Sequence, residues 1–213
     1  MNVTVFGATG AIGTLTVAAL LERGDHVTAY VRNPAKVPAS WADRVRVVVG
    51  EMNDAARIDD AVAGSDAVIS ALGPSMDRHA VGLPLVDGTA HTVAAMHGHG
   101  VARFIGHGTP SIVDTRDKPT AQSRLTGLMG RMLLPRAYQE LLGMSRHIMD
   151  SDLEWTIIRF TAPKDGPAKG INRAGFYGTD RIGFAVTRAD IAAFTVAQLT
   201  DTTYLRAAPA ISN

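Results

Sequence analysis

The sequence predicts an α/β protein in which a doubly wound, mostly parallel sheet carries helices on both faces, giving three αβα layers. Short β-branched runs alternate with helical segments along the chain. A glycine-rich turn, Gly7-Ala8-Thr9-Gly10-Ala11-Ile12-Gly13, joins the first strand to the first helix, as in Rossmann folds. We expect a single NAD(P)-binding Rossmann domain over residues 1–213, with a small substrate-side elaboration over about 111–150 and 161–187.

Charge and composition narrow the functional classes. Lys and Arg number 21 against 20 Asp and Glu, so electrostatics gives no argument for a nucleic-acid or membrane partner. The absence of cysteine excludes disulfides, thiol catalysis and cysteine-ligated metal. No apolar run reaches membrane-spanning length, and the first strand begins within three residues of Met1, which leaves no room for a leader peptide. We therefore expect a cytoplasmic protein.

The glycine turn is the first candidate binding element. Gly7 allows a sharp turn, Gly10 lets backbone N–H groups approach a ligand, and Gly13 lets helix and strand pack closely. The helix that starts near Ala11 would then direct its N–H groups and positive dipole end at an anion, most simply a dinucleotide pyrophosphate. The predicted contacts of the turn are Gly7, Thr9, Gly10, Ala11, Ile12 and Gly13. The alternative is an ordinary strand-to-helix turn with coincidental glycines.

The end of the second strand predicts which dinucleotide binds. The first helix ends at about Arg23, and a second β-branched run over residues 26–31 completes a strand–helix–strand unit. A site for NAD usually has an acidic residue here, whereas a 2′-phosphate requires a cation. No acidic residue occurs from 27 to 41, and Arg32 and Lys36 follow the strand. NADP (NADPH) is therefore favoured over NAD, unless both cations are solvated surface charges.

Two further strands extend the sheet. The third, over 46–50, leads to a segment where Glu51 or Asn53 would meet an adenine, or where Asn53 or Asp54 would cap the next helix; we favour the cap. That helix covers 55–63, and the fourth strand covers 66–72. Because the fourth strand lies across the switch point from the first, we expect Ala71, Leu72 and Gly73 to line the cofactor crevice.

The histidines are the candidate metal ligands. A helix over 83–97 and a fifth strand over 103–108 contain or flank His91, His97, His99 and His107. No carboxylate accompanies them at ligand spacing. We predict surface or helix-end residues and no metal site.

The rest of the chain is predicted to complete the sheet and cover its carboxyl edge. Helices are predicted over 121–133 and 136–149, a sixth strand over 155–160, a substrate-side loop over 161–177 and a final helix over 188–199. The sequence thus predicts a six-stranded sheet.

The assembled motifs resemble a known family. They are Gly7-Ala8-Thr9-Gly10-Ala11-Ile12-Gly13, Val31-Arg32-Asn33-Pro34, Leu153-Glu154-Trp155-Thr156-Ile157-Ile158-Arg159 and Arg188-Ala189-Asp190-Ile191-Ala192. Together they resemble the atypical short-chain dehydrogenase/reductase proteins, most closely the NAD(P)H-binding branch with NmrA-like and biliverdin reductase B/flavin reductase members. The resemblance extends over nearly the whole chain.

The resemblance also implies where catalytic residues would lie. Ordinary members carry a serine after the fifth strand and a Tyr-x-x-x-Lys pair. Aligned back from Trp155, the lysine position falls on Arg146 and the tyrosine position on Leu142. Arg146 would hold a ribose hydroxyl but is too basic to donate a proton. Thr109, near the serine position, is a candidate hydrogen-bond donor. Tyr138 lies one helical turn before Leu142. It would either take over the proton-donating role of the missing tyrosine or serve as a buried structural residue.

Two functions agree with this pattern. The first is an NADPH-dependent oxidoreductase that passes hydride to a small-molecule acceptor such as a flavin, a quinone or another conjugated compound. Its pocket would lie under residues 121–149 and 163–177. The second is a non-catalytic NADP(H)-binding sensor of the NmrA-like type that acts through a protein partner. A homodimer is compatible with both. A serine hydrolase lacks support because the chain has no Gly-x-Ser-x-Gly motif.

Overall fold

The structure, a computed structural model, describes residues 1–77, 79, 81–119, 128 and 130–213. Ten strands are described in these ranges. In chain order they are β1 (Asn2–Phe6), β2 (His26–Val31), β3 (Val45–Val49), β4 (Ala67–Ser70), β5 (Arg103–Gly108), β6 (Glu154–Arg159), β7 (Ala162–Lys164), β8 (Arg173–Gly175), β9 (Ala185–Thr187) and β10 (Ala210–Ser212).

Five α-helices connect these strands within the described ranges. They are α1 (Ala11–Glu22), α2 (Ala55–Val62), α3 (Pro84–Gly98), α4 (Pro135–Met149) and α5 (Arg188–Ala197). Two 3-10 segments, Pro34–Lys36 and Ala39–Arg44, separate β2 from β3. None of the helices that the structure describes is long and apolar enough to span a bilayer.

The main sheet has eight strands in the order β3-β2-β1-β4-β5-β6-β10-β8. All neighbouring pairs are parallel except β10 with β8. β1 lies between β2 and β4, so the strand order reverses beside the strand that leads into the glycine turn. The carboxyl ends of β1 to β6 therefore meet at one edge of the sheet, where ligands of doubly wound folds bind.

Two apolar clusters, one on each face, hold the helices to the sheet. The first contains Val17 and Leu20 of α1 together with Ile191 of α5. The second contains Ile58 of α2 and Met96 of α3, together with residues of α4. All five of these side chains are fully buried. The three-layer, doubly wound arrangement predicted from the sequence is thus confirmed.

The sheet has two more strands than the six predicted. β10 and β8 extend it beyond β6, and β8 lies within the segment 161–177 that was predicted to be a loop. Each has three residues, too few to show a period-two pattern, and each is fixed by pairing with distant chain. β7 and β9 form a second, two-stranded sheet. Most of the predicted helix over 121–133 lies outside the described residues.

Candidate cofactor and acceptor site

The glycine turn is tightly packed against its surroundings. Gly7 has φ +72°, and a Cβ on it would lie 2.9 Å from the carbonyl carbon of Ala71. A Cβ on Gly13 would lie 2.1 Å from the carbonyl oxygen of Gly7. Both distances are shorter than real Cβ contacts, so neither position accepts a side chain without movement of the backbone.

The start of α1 is suited to an anion. Gly10 is its N-cap residue, and within the described chain the helix has no side-chain cap and no acidic residue in its first turn. The Gly10 N–H donates to the Gly7 carbonyl at 3.0 Å. The N–H groups that follow, from Ala11 to Gly13, lie at the positive end of the helix dipole. This donor set fits the pyrophosphate of a dinucleotide.

A cleft of about 510 Å³ opens beside this turn at the carboxyl edge. Eleven of the twelve predicted cofactor contacts belong to the turn, the end of β2 or the end of β4, and each of them lines the cleft or lies beside it. Those that line it are Gly7, Thr9, Arg32, Lys36, Leu72 and Gly73. Ala71 contacts the turn through its backbone, while Gly10, Ala11, Ile12 and Gly13 form the turn and first helical residues next to the cleft.

A short 3-10 segment follows Arg32 at the end of β2 and contains Lys36. The Asn33 side chain accepts a hydrogen bond from the Ala35 N–H at 3.0 Å, and Pro34 opens the segment. Arg32 and Lys36 are both exposed at the cleft. Their charges can meet a phosphate on the adenosine side of a dinucleotide.

The far end of the cleft includes residues after β3. The Tyr30 hydroxyl donates to the Glu51 carbonyl at 2.8 Å and so joins the ends of β2 and β3. Glu51 and Met52 line the cleft there. The predicted cap is confirmed for Asp54, whose carboxylate accepts from the Arg57 N–H at 3.0 Å.

Arg136 and Glu140 of α4 also line the cleft and were not identified from the sequence. Arg136 donates to the carbonyl oxygens of Gly82 at 2.8 Å and Ser75 at 3.0 Å. Glu140 is 1% exposed; it pairs with Arg136 at 3.3 Å and accepts from the Leu85 N–H at 3.0 Å. The pair therefore ties the segment after β4 and the start of α3 to α4. Only their i, i+4 spacing was visible in the sequence.

Arg146, by contrast, is not brought to the cleft. It is exposed and lines a separate groove with Val86 and Gly143. At 1.5 Å and 100° per residue, six residues beyond Glu140 place it about 9 Å further along α4 and on another side of the helix. The predicted ribose contact therefore has to be corrected.

A second cavity, of about 430 Å³, lies at the same edge after β5; we call it the acceptor groove. Its walls come from the segment after β5, the residues before and at the start of α4, and the segment after β8. The residues that line it are Pro110, Ser111, Val113, Asp117, Lys118, Pro119, Leu128, Arg131, Tyr138 and Tyr177.

The two candidate catalytic residues lie near this groove. Tyr138 is half-buried and lines it. Thr109 is exposed and immediately precedes the lining residues Pro110 and Ser111; its hydroxyl accepts from the Ser111 N–H at 3.3 Å. Both roles stay predictions, because the geometry brings the residues near the groove without showing contact with a substrate.

Asp117, which lines the groove, belongs to an ion pair. Arg159, fully buried at the end of β6, donates to both carboxylate oxygens of Asp117, at 2.5 and 2.8 Å. Burial works against the charge of Asp117, but the hydrogen bonds from Arg159 and from backbone N–H groups keep its pKa below the usual value. The Tyr177 ring stacks 4.9 Å from the Arg159 guanidinium carbon. Burial raises the pKa of Tyr177, so its hydroxyl stays protonated at neutral pH.

Two of the four histidines lie where the sequence predicted them, and two do not. His91 is half-buried in the middle of α3, and its Nδ1 atom is buried without a hydrogen-bond partner among the described residues. His97 and His99 pair with Asp152 at 2.7 Å and Asp59 at 3.0 Å on the surface. His107 points inward from β5, and its Nε2 lies 2.9 Å from the Thr195 hydroxyl. Burial lowers its pKa from 6.5 to about 4. The prediction of a surface or helix-end residue is therefore wrong for His91 and His107.

Two curated proteins have related sequences over part of the chain. The chain is 30% identical over 125 residues to the 2-alkyl-3-oxoalkanoate reductase of Stenotrophomonas maltophilia, covering 56% of this chain and 36% of that protein. It is 32% identical over 122 residues to the 3-beta-hydroxysteroid dehydrogenase of Mycolicibacterium neoaurum, covering 53% of this chain and 33% of that protein. The chain thus spans about a third of the length of these relatives.

Solved structures match the whole chain. A short-chain dehydrogenase/reductase of Veillonella parvula in complex with NADP has a TM-score of 0.80 at 22% identity and covers 100% of this chain and 94% of that one. ChuY, an anaerobillin reductase from Escherichia coli O157:H7, has a TM-score of 0.77 at 19% identity, with coverage of 100% and 97%. These likenesses confirm the fold.

The glycine turn, the uncapped start of α1 and the cleft fit a dinucleotide, and a family model gives independent support. The model for NAD(P)H-binding proteins matches residues 7–202. The match includes the glycine turn and omits the first six and the last eleven residues, and it agrees with the resemblance that the motifs suggested. The chain belongs to the NAD(P)H-binding family.

Proposed function

We propose that the protein is an NADPH-dependent oxidoreductase that reduces a conjugated small molecule. One observation carries the proposal: the cofactor cleft and the acceptor groove lie side by side at the carboxyl edge, with the first turn of α4 between them. Arg136 lines the cleft, whereas Tyr138, two residues later, lines the groove. Residues two apart on a helix point in different directions, so one helical turn forms a wall of both cavities.

In this proposal the glycine turn and the start of α1 bind the pyrophosphate. Arg32 and Lys36 bind the 2′-phosphate, which gives the preference for NADPH over NADH. When bound, NADPH supplies a hydride. Leu72 and Gly73, after β4, border the part of the cleft nearest β5 and the groove.

The type of acceptor follows from the missing acid. The described residues of α4 that line the cofactor cleft are Arg136 and Glu140, so this helix places no phenol in the cleft to protonate a substrate oxygen. A flavin or quinone accepts a hydride as a delocalised anion and then takes its proton from water. The curated reductase and ChuY, whose names describe reductases, support a reductase activity.

The test is NADPH oxidation with a panel of flavins and quinones. We expect turnover with at least one acceptor, and loss of turnover in Gly13→Ala, because its clash with Gly7 disrupts the pyrophosphate turn. Gly98→Ala is the matched control, because a Cβ at Gly98 meets nothing within 4 Å. Tight NADPH binding without oxidation by any acceptor would reject the reductase and favour a non-catalytic sensor.

A further inference from the structure

The acceptor groove has a positive charge balance at its surface. Among the lining residues that the structure describes, Lys118 and Arg131 are cationic and Asp117 is the one carboxylate. That carboxylate is neutralised by Arg159, which binds both of its oxygens. Lys118 and Arg131 are exposed, so their charges act on whatever enters the groove.

Aromatic and apolar side chains also line the groove. Tyr138 and Tyr177 provide aromatic surface, and the Val113 and Leu128 side chains are 69% and 53% exposed. Exposed apolar groups gathered at a cavity mark a binding surface. Aromatic and aliphatic walls favour a planar ring system.

The groove is built by fixed backbone contacts. The Lys118 N–H donates to the Tyr177 carbonyl at 2.8 Å, and the Tyr177 N–H donates to Asp117 Oδ1 at 2.9 Å. The segment after β5 is thereby joined to the segment after β8. The volume of about 430 Å³ lies within the range of small-molecule sites.

We propose that the acceptor groove binds planar conjugated molecules that carry an anionic group, and that Lys118 and Arg131 hold that group. The anion-binding residues determine specificity and do not take part in hydride transfer. The inference rests on the proposed function, because the ring system bound in this groove is taken to be the one that NADPH reduces. The groups that Lys118 and Arg131 would recognise are a carboxylate or a phosphate ester attached to a flat ring system.

Riboflavin and FMN form a matched probe pair, because they share one ring system and differ by a phosphate. Their binding to the protein with NADP present is followed by quenching of flavin fluorescence. We expect FMN to bind at least about tenfold more tightly than riboflavin, with an affinity that falls as salt is added.

Charge-removing variants identify the groups involved. Lys118→Met and Arg131→Met should each weaken FMN binding by about three- to tenfold and leave riboflavin binding almost unchanged. The control is Arg44→Met, an exposed cation at the opposite edge of the sheet; it should affect neither flavin. Circular dichroism checks that each variant is folded.

The outcomes separate this inference from the proposed function. Equal affinity for the two flavins, failure of both to bind, or unchanged FMN binding in both variants would overturn the inference. Charge-dependent FMN binding without oxidation of NADPH by any acceptor would leave the inference standing and reject the reductase. NADPH oxidation by riboflavin and FMN with equal KM would support the reductase and overturn the inference.

Discussion

A Cβ on Gly13 would lie 2.1 Å from the carbonyl oxygen of Gly7, so the first turn of α1 rests directly on the glycine turn that precedes it. The contact brings the N–H groups of the helix start to the cleft. Gly7 and Gly13 are therefore both required by the packing of the helix on the turn, in addition to any need for a ligand to approach the backbone closely.

Gly13→Ala should therefore impair both folding and cofactor binding. Because the contacting atoms belong to the backbone, relief of the clash has to shift the turn, and we expect a loss of about 1–3 kcal/mol in the free energy of unfolding. Urea denaturation measures this loss, and titration with NADPH measures binding. Gly98→Ala should be neutral in both; equal effects of the two substitutions would contradict the packing argument.

Arg32→Ala should remove most of the preference for NADPH over NADH. Arg32 can form charge-assisted hydrogen bonds with a 2′-phosphate, so NADPH affinity should fall about tenfold or more while NADH affinity changes little. Isothermal titration of both cofactors measures the two affinities. Lys36→Ala should also lower the affinity for NADPH, by a smaller factor. Equal affinity of the wild-type protein for NADPH and NADH would refute the assignment.

His107 should make the protein less stable in mild acid. Burial lowers its pKa from 6.5 to about 4, so the unfolded chain binds a proton more readily than the folded protein between these pH values. Stability is complete above about pH 6.5 and falls by about 3 kcal/mol as the pH drops towards 4. His107→Gln should flatten this part of the profile in urea unfolding.

Thr195→Val is the control for that experiment. It removes the hydroxyl that lies 2.9 Å from His107 Nε2 but leaves the imidazole buried. The overall stability should change, whereas the decline between pH 6.5 and 4 should remain. A profile for His107→Gln as steep as that of the wild type would assign the decline to other groups.

Asp190→Asn should loosen the segment that precedes β8. Asp190 is 2% exposed and accepts from the N–H groups of Lys169 and Gly170, from Asn213 Nδ2 and from the Thr187 hydroxyl. An amide would face these donors with an NH₂ group, so we expect a loss of about 2–4 kcal/mol in the free energy of unfolding.

The same carboxylate has a predictable pH dependence. Burial opposes its charge, but hydrogen bonds from Thr187, the Lys169 N–H and other donors keep the pKa of Asp190 below 3.8. Its contribution is therefore present above about pH 3.8 and is lost as the pH falls further. Asp165→Asn is the control, because the Asp165 side chain is 91% exposed and pairs only at the surface with Arg188. Unfolding curves with equal midpoints for the two variants would contradict this account.

The fold was predictable where local pattern and packing agree. Strands buried on both faces give continuous β-branched runs, as in β1, where Val3, Thr4 and Val5 are all buried. The β-branched run of β3 predicted the strand but not its burial, because β3 lies at the edge of the sheet with Val47 and Val49 exposed. The glycine turn and the Asp54 cap depend on neighbouring residues. β8 and β10 were missed because three residues show no period, and their pairing depends on chain far away in sequence. Local signals carry no information about such partners.

The candidate site was predictable on the side of the glycine turn and less so around α4. Arg136 and Glu140 reach the cleft because of the direction in which α4 packs, which the sequence does not reveal. Alignment to a family pattern placed Arg146 at the ribose, but the helix turns it into another groove. His107 was grouped with the surface and helix-end histidines, although β5 turns its ring inward against Thr195 and Phe160.

The most direct test of the proposed function is a single-turnover comparison of protein-bound and free NADPH. Excess protein is mixed with NADPH and then with each flavin or quinone in the absence of oxygen, and loss of dihydronicotinamide fluorescence is followed. The account predicts that bound NADPH is oxidised faster than free NADPH by at least one acceptor, and that deuterium on the transferred position slows this step. Bound NADPH that reacts no faster than free NADPH with every acceptor would contradict it.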